Sequence, residues 1–275
     1  MSTTFQALVM GIVQGLAEFL PISSSGHLII VPALLGWTDP FIDSLAFSVM
    51  LHMGTLVALL IYFWRDWLRL IPAGLATIRD RSFRGDPDRR LAWLIVVTVI
   101  PAAIVGTLLN DFIESNVRQA GVVAVLLVVG AAIMWLAERW GRKQREIDGL
   151  GFGAAFGIGL AQAIALFPGI SRSGISISAG LFANLTREAA ARFSFLMAAP
   201  VIAGAGVFEA RKLVTGEAGV TVELAPLVVG FLAAMIAGLI AIWALLRYLR
   251  TNSLGIFIAY RLIAAAVVVA VLLAR

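Results

Sequence analysis

The sequence predicts an all-α integral membrane protein with an inverted-topology repeat, made of six transmembrane helices plus two broken re-entrant helix hairpins. Three observations predict it. The 275 residues are 61% hydrophobic and 13% charged, with mean hydropathy +0.98, whereas a soluble domain is about 25% charged. Six windows are long and apolar enough to cross a bilayer, which takes about 20 residues each. Two further apolar stretches are interrupted in the same way, 148 residues apart.

In chain order, residues 5–36 form the first interrupted stretch. It contains Gln14, Glu18, Pro21, the run Ser23-Ser24-Ser25-Gly26 and Pro32. Spans are expected at 44–64, 91–110 and 120–138. The second interrupted stretch, 151–186, contains Gln162, Pro168, Gly169 and Arg172 among serines. Three more spans are expected at 189–208, 224–246 and 254–274. Backbone broken at membrane depth is tolerated only where protein or a water-filled cavity surrounds it.

Loop charges predict orientation. Arg65, Arg69, Arg79, Arg81, Arg84, Arg89 and Arg90 crowd 65–90, and Arg139, Arg142, Lys143 and Arg145 crowd 139–150. Arg247 and Arg250 separate the last two spans. The alternate loops hold only Arg118 and the pair Arg211-Lys212. The positive-inside rule makes the Arg-rich loops cytoplasmic and sends both termini outward.

Shifting the chain by 148 residues superposes the interrupted stretches without gaps. Gly11 falls on Gly159, Gln14 on Gln162 and Ile22 on Ile170; Ser23, Ser25 and Gly26 fall on Ser171, Ser173 and Gly174; Ser24 falls on Arg172. The expected organisation is one membrane domain of two repeats, 1–148 and 149–275. Each repeat holds one hairpin and three spans. Three is odd, so the second repeat starts on the opposite side, as in transporter folds whose sites lie at the repeat interface.

Composition excludes some chemistry. With no cysteine there is no disulfide, thiolate zinc site or cysteine nucleophile. The net charge of +5 reports orientation rather than nucleic-acid binding. No Lys or Arg precedes the first apolar run and Glu18 interrupts it, which argues against a cleaved signal peptide.

The hairpin tips carry the candidate chemistry. Gln14 and Glu18 share a helical face, and a carboxylate inside a span is a functional hypothesis by default. The bland alternative is a buried Glu satisfied by serines. His27 is a proton donor or acceptor if it lies near Glu18. Arg172 offers a rigid fork matched to phosphate oxygens. Ser171, Ser173 and Ser176 add hydroxyls, and Gly26 and Gly174 let the backbone approach an anion at a helix start. Arg172 paired with Glu18 as a structural bridge is compatible with this if the bridge belongs to the empty state. His52 reads as structural or as a support behind the site residues, and Arg192 and Arg261 receive no role. An apolar pocket ending in a phosphate cradle implies a phosphorylated lipid as substrate. A divalent cation, Mg²⁺ or Ca²⁺, held by Glu18 and substrate phosphates is expected.

These residues carry a family resemblance. GIVQGLAEFLPISSSGH at 11–27, PGISRSG at 168–174 and REAAARFSFLMAAP at 187–200 resemble the bacterial undecaprenyl-diphosphate phosphatase family of the bacitracin-resistance type, over essentially the whole chain. The resemblance implies dephosphorylation of a C55 isoprenoid diphosphate at the outer face of the inner membrane, with a divalent cation. It implies Glu18, Ser24, His27 and Arg172 as catalytic. It implies Gln14, Ser23, Ser25, Gly26, Ser171, Ser173, Gly174 and Ser176 around the substrate. The chain departs from the family pattern at Ser25 and Ser176, where threonine is common. Gln14 leaves one certain carboxylate, and Ser48 stands where an acidic residue is expected. Expected partners are the polyisoprenyl diphosphate, bilayer lipids and a second copy of the chain, with no nucleic acid.

Two routes follow. Either Ser24 attacks the terminal phosphorus with Glu18 or His27 taking its proton, or Glu18 activates a metal-bound water. The type-2 phosphatidate phosphatase class is excluded, because the chain has no Arg-Pro dipeptide and Ser178 stands where that class has a histidine. A lipid-phosphate transporter without hydrolysis is the alternative that architecture alone supports, whereas Glu18 and His27 together with a phosphate cradle favour an enzyme, since a pure carrier needs no general base.

Overall fold

The computed structural model describes residues 2–83, 85–214 and 223–274; side chains 45, 110, 111, 114, 115 and 208–214 fall outside the described set. Among the described residues the regular structure is helical: α1 Thr3–Phe19, α2 Ser24–Leu35, α3 Leu45–Tyr62, α4 Trp64–Asp80, α5 Pro87–Asn116, α6 Ala120–Trp140, α7 Phe152–Ile164, α8 Arg172–Phe182, α9 Arg187–Val214, α10 Leu224–Leu249 and α11 Gly255–Ala274. Arg84, loop 215–222 and the side chains of Arg211 and Lys212, all used in the orientation argument, lie outside the described residues.

Pro87–Leu109, Ala120–Trp140, Arg187–Val207, Leu224–Leu249 and Gly255–Ala274 are long and apolar enough to cross a membrane. α3 passes together with α4, to which it is bent by 85°. These are the six expected spans, and the protein is a multi-pass membrane protein. Their outward sides carry large exposed apolar residues such as Leu108, Val125, Trp135 and Ile236, as lipid contact requires.

α4 is a departure. Residues 65–90 were expected to form an Arg-rich loop, yet 64–80 are helical. Trp64, Leu68, Ile71, Leu75 and Ile78 recur every three or four residues and are all exposed. Asp66 is bonded to Arg69 at 2.9 Å and to Arg192 of α9 at 2.7 Å. A helix at right angles to a span, apolar on one side and charged on the other, has the form of an interfacial helix. Its charges dilute the hydropathy signal that marks a span.

Small residues set the close packing, as is usual between membrane helices. α1 packs on α10, and α7 packs on α5. A Cβ on Gly11 would lie 2.5 Å from the Gly230 carbonyl oxygen, and one on Gly159 would lie 2.7 Å from the Thr98 Cα. At the other end of the bundle, Glu138 of α6 receives both the Nε and Nη2 of Arg187 at 2.8 Å and the Leu254 amide at 2.9 Å. One carboxylate thus ties the ends of α6, α9 and α11.

The interrupted stretches become two helix pairs, α1–α2 and α7–α8. Each second helix starts from a serine with positive φ: Ser23 at 80° and Ser171 at 74°. Their side chains accept from the Gly26 amide at 3.3 Å and the Gly174 amide at 3.1 Å. The tips also bond each other: Ser23 Oγ accepts from the Gly169 amide at 3.1 Å, and Ser173 Oγ donates to the Leu20 carbonyl at 3.1 Å.

Candidate active site

The two turns place Ser24 at the start of α2 and Arg172 at the start of α8. Serine at the cap holds the third amide of each helix. The first amides, at Ser24–Ser25 and Arg172–Ser173, have no intrahelical acceptor. Both starts meet the last turn of α1, where Glu18 is 5% exposed.

Glu18 is the hub. Its Oε2 accepts from Ser24 Oγ at 2.5 Å and from Gln14 Nε2 at 2.9 Å. Its Oε1 accepts from Arg172 Nη2 at 2.5 Å. Arg172 Nη1 is buried and has no hydrogen-bond partner. Half of the guanidinium fork is therefore uncommitted.

These groups border a cavity of about 260 Å³. Its polar wall includes Glu18, Ser24, Ser25, Ser171 and Arg172, and its apolar wall includes Val49, Val201 and Ile202 from α3 and α9. A phosphorylated amphiphile has both of the surfaces it needs here.

The other residues named from the sequence are placed differently. Gln14, Ser23, Ser173 and Ser176 are buried behind the cavity. Ser23 and Ser173 bond the opposite tip, and Ser176 Oγ bonds the Arg172 carbonyl and Ser194 Oγ, each at 2.6 Å. Gly26 and Gly174 give their amides to the capping serines.

His27 does not meet Glu18. Its Nδ1 lies 2.7 Å from the Ser23 carbonyl, and its Nε2 lies 2.7 Å from the Tyr260 hydroxyl. A carbonyl only accepts, so Nδ1 carries the hydrogen and Nε2 accepts from Tyr260. The ring folds back onto the helix start because the N-cap carbonyl lies one turn below it.

The imidazole that faces the carboxylate is His52. It lines the cavity with Nε2 3.8 Å from Glu18 Oε2, while Nδ1 donates to the Ser48 carbonyl at 2.8 Å. Ser48 also lines the cavity. The segment Leu-His-Met-Gly inside an apolar span reads as core, and its neighbour Glu18 is 34 positions away in sequence. A polar residue mid-span is the only local signal.

Among the described residues no three His, Cys, Asp or Glu side chains group as a metal site. The donors at the cavity are one carboxylate, the hydroxyls of Ser24, Ser25, Ser48 and Ser171, and the Nε2 of His52, with the partnerless amide oxygen of Gln14 buried beside Glu18. A set dominated by oxygen, with one carboxylate and one imidazole, suits a hard cation that shares its coordination with substrate phosphates. It does not suit a cation caged by protein alone.

A family model described as bacitracin resistance protein BacA matches residues 7–267. Proteins named undecaprenyl-diphosphatase are similar over nearly the full length. That of Desulforudis audaxviator is 42% identical and that of Moorella thermoacetica 44%, each alignment covering 98% of both chains. That of Thermomicrobium roseum is 46% identical over 94% of both.

Proposed function

The chain belongs to the bacitracin resistance protein BacA family, and from that membership and the cavity chemistry we propose that it hydrolyses undecaprenyl diphosphate to undecaprenyl phosphate and inorganic phosphate. Such an activity recycles a lipid carrier and underlies bacitracin resistance. The observation that carries the reading is the shared carboxylate: Ser24 Oγ on one oxygen of Glu18, and a half-used Arg172 on the other.

The mechanism follows from those contacts. At rest the Glu18–Arg172 bridge fills the phosphate place. An incoming terminal phosphate takes the fork of Arg172, whose two parallel donors match phosphate oxygens. The first amides of α2 and α8 add donors at two helix starts. Ser24 Oγ attacks the terminal phosphorus and its proton passes to Glu18 Oε2. The bond from that phosphorus to the bridging oxygen breaks, and the monophosphate lipid leaves. Water then cleaves the phosphoserine. Glu18 returns its proton to Ser24 Oγ, and the proton lost by water leaves with the phosphate. Arg172 stabilises charge on the phosphoryl oxygens in both steps. A divalent cation held by Glu18 and substrate oxygens supplies further charge neutralisation when bound.

The apolar wall of α3 and α9 takes the first isoprene units. The two helix pairs act as one inverted repeat, supported by the matched serine caps at positions 23 and 171. The bacterial inner membrane, with the cavity served from its outer face, is the location that the family resemblance implies, and the loop charges supply the orientation of the spans.

Phosphate release from farnesyl diphosphate by detergent-solubilised protein, with and without Mg²⁺, tests the function. Release with Mg²⁺ supports it. Absence of release under both conditions removes hydrolysis and leaves the transporter reading.

A further inference from the structure

Two adjacent residues of α11 grip the turns that carry Ser24 and Arg172. Arg261 is 0% exposed and has no acidic partner among the described residues. It donates instead to four carbonyls. Nε reaches Leu127 at 3.1 Å, Nη1 reaches Pro21 at 3.3 Å, and Nη2 reaches Gly169 at 2.6 Å and Leu126 at 3.4 Å.

Pro21 and Gly169 occupy the same position in the two interrupted helix pairs, 148 residues apart. Both residues lie outside the helices of their pair, where the helix is broken. An unsatisfied carbonyl at membrane depth is costly, so one guanidinium resolves the same defect in both turns. The site is shaped for it: a Cβ on Gly130 would overlap the guanidinium. An arginine serving only to anchor α11 would extend to the membrane interface, and this one does not.

Tyr260 completes the grip. Its hydroxyl bonds His27 Nε2, and His27 Nδ1 bonds the carbonyl of Ser23, the residue before Ser24. The His27 and Tyr260 rings stack with centroids 5.7 Å apart. The chain of contacts thus runs from α11 to the residue next to the nucleophile.

The geometry points to a clamp: we infer that Arg261 and Tyr260 are positioning residues for phosphoryl transfer, fixing the separation of Ser24 and Arg172 by holding both turns from one helix. A misplacement of about 1 Å in such a pair costs about a hundredfold in rate. Lysine at position 261 keeps the charge but has no fork, and so cannot span both turns.

This inference rests on the hydrolytic reading, so its test has a readout independent of hydrolysis. Parent, Arg261→Lys and Tyr260→Phe are compared by hydrogen exchange of peptides spanning 19–27 and 166–175, and by farnesyl diphosphate turnover. Arg261→Lys should speed exchange in both peptides at least fivefold while leaving the ends of α6 and α9 near Glu138 unchanged. It should lower kcat at least tenfold with KM within threefold. Tyr260→Phe should speed exchange in 19–27 alone and lower kcat at least threefold. Unchanged exchange in both peptides, or uniform acceleration through the protein, overturns the clamp. If Arg261→Lys fails to fold, Tyr260→Phe decides: parent-like exchange or kcat overturns it. If the parent releases no phosphate, the functional reading fails while the exchange result still decides the clamp.

Discussion

Ser24 and Arg172, 148 residues apart, bond the two oxygens of one carboxylate: Ser24 Oγ on Glu18 Oε2 and Arg172 Nη2 on Glu18 Oε1, each at 2.5 Å. Between Ser23–Gly26 and Ser171–Gly174 they are also the one position at which the two turns differ, one carrying the proposed nucleophile and the other a phosphate fork.

The first prediction concerns the nucleophile. Ser24→Ala should lower phosphate release by about a thousandfold or more, as removal of a nucleophile does elsewhere, whereas Ser25→Ala should stay within about tenfold, one lost polar contact's worth. Turnover of Ser24→Ala within tenfold of parent would show that water, not Ser24, attacks.

Arg172→Lys keeps the charge and loses the fork. Its kcat/KM should fall roughly a hundredfold to a thousandfold, the scale of one lost oxyanion donor, with the thermal midpoint in detergent near that of the parent. Arg172→Ala leaves the Glu18 carboxylate buried without its partner. It should destabilise the fold by about 3–5 kcal/mol, visible as an earlier thermal transition.

His52 and the shared carboxylate make a third case. The imidazole Nε2 lies 3.8 Å from Glu18 Oε2. His52→Leu should lower kcat about tenfold, corresponding to about 1.4 kcal/mol, without changing the protein's elution on size exclusion. A kcat equal to the parent's would make His52 a bystander.

Removal of divalent ions with a chelator should abolish phosphate release, and added Mg²⁺ or Ca²⁺ should restore it. The Glu18→Gln variant should stay inactive at any cation concentration. Full activity of the chelated parent would remove the cation from the scheme.

Packing gives a fifth prediction. Gly159→Ala drives a methyl group against the Thr98 backbone. Overpacking of this kind costs about 1–3 kcal/mol, read as a lowered thermal midpoint with farnesyl diphosphate KM unchanged. An unchanged midpoint would show that α5 and α7 separate freely.

Much of this arrangement was legible before the structure. Pro21 and Pro168 break apolar runs, and the serines beside them have no reason to be there unless polar groups meet. Glu18 and Arg172 announced themselves as charges where charge is costly. α4 was hidden because Arg65, Asp66 and Arg69 make its window look like a loop, although its exposed residues keep helical spacing. His27 was expected beside Glu18, but proximity to the same turn does not fix where a ring points, and the Ser23 carbonyl takes it elsewhere. Arg261 was the least legible. Its partners are main-chain carbonyls, which every residue has, so no pattern of side chains marks their position.

The grip of Arg261 also bears on the order in which the protein is built. α11 is the last of these helices to leave the ribosome. Until it inserts, the carbonyls of Pro21 and Gly169 lack the donor that satisfies them, and the two turns hold each other through Ser23 and Ser173 with no further helix gripping both. A nascent chain carrying both hairpins therefore holds the groups assigned to the phosphate before it holds the clamp, so a product truncated ahead of α11 is expected to release little phosphate.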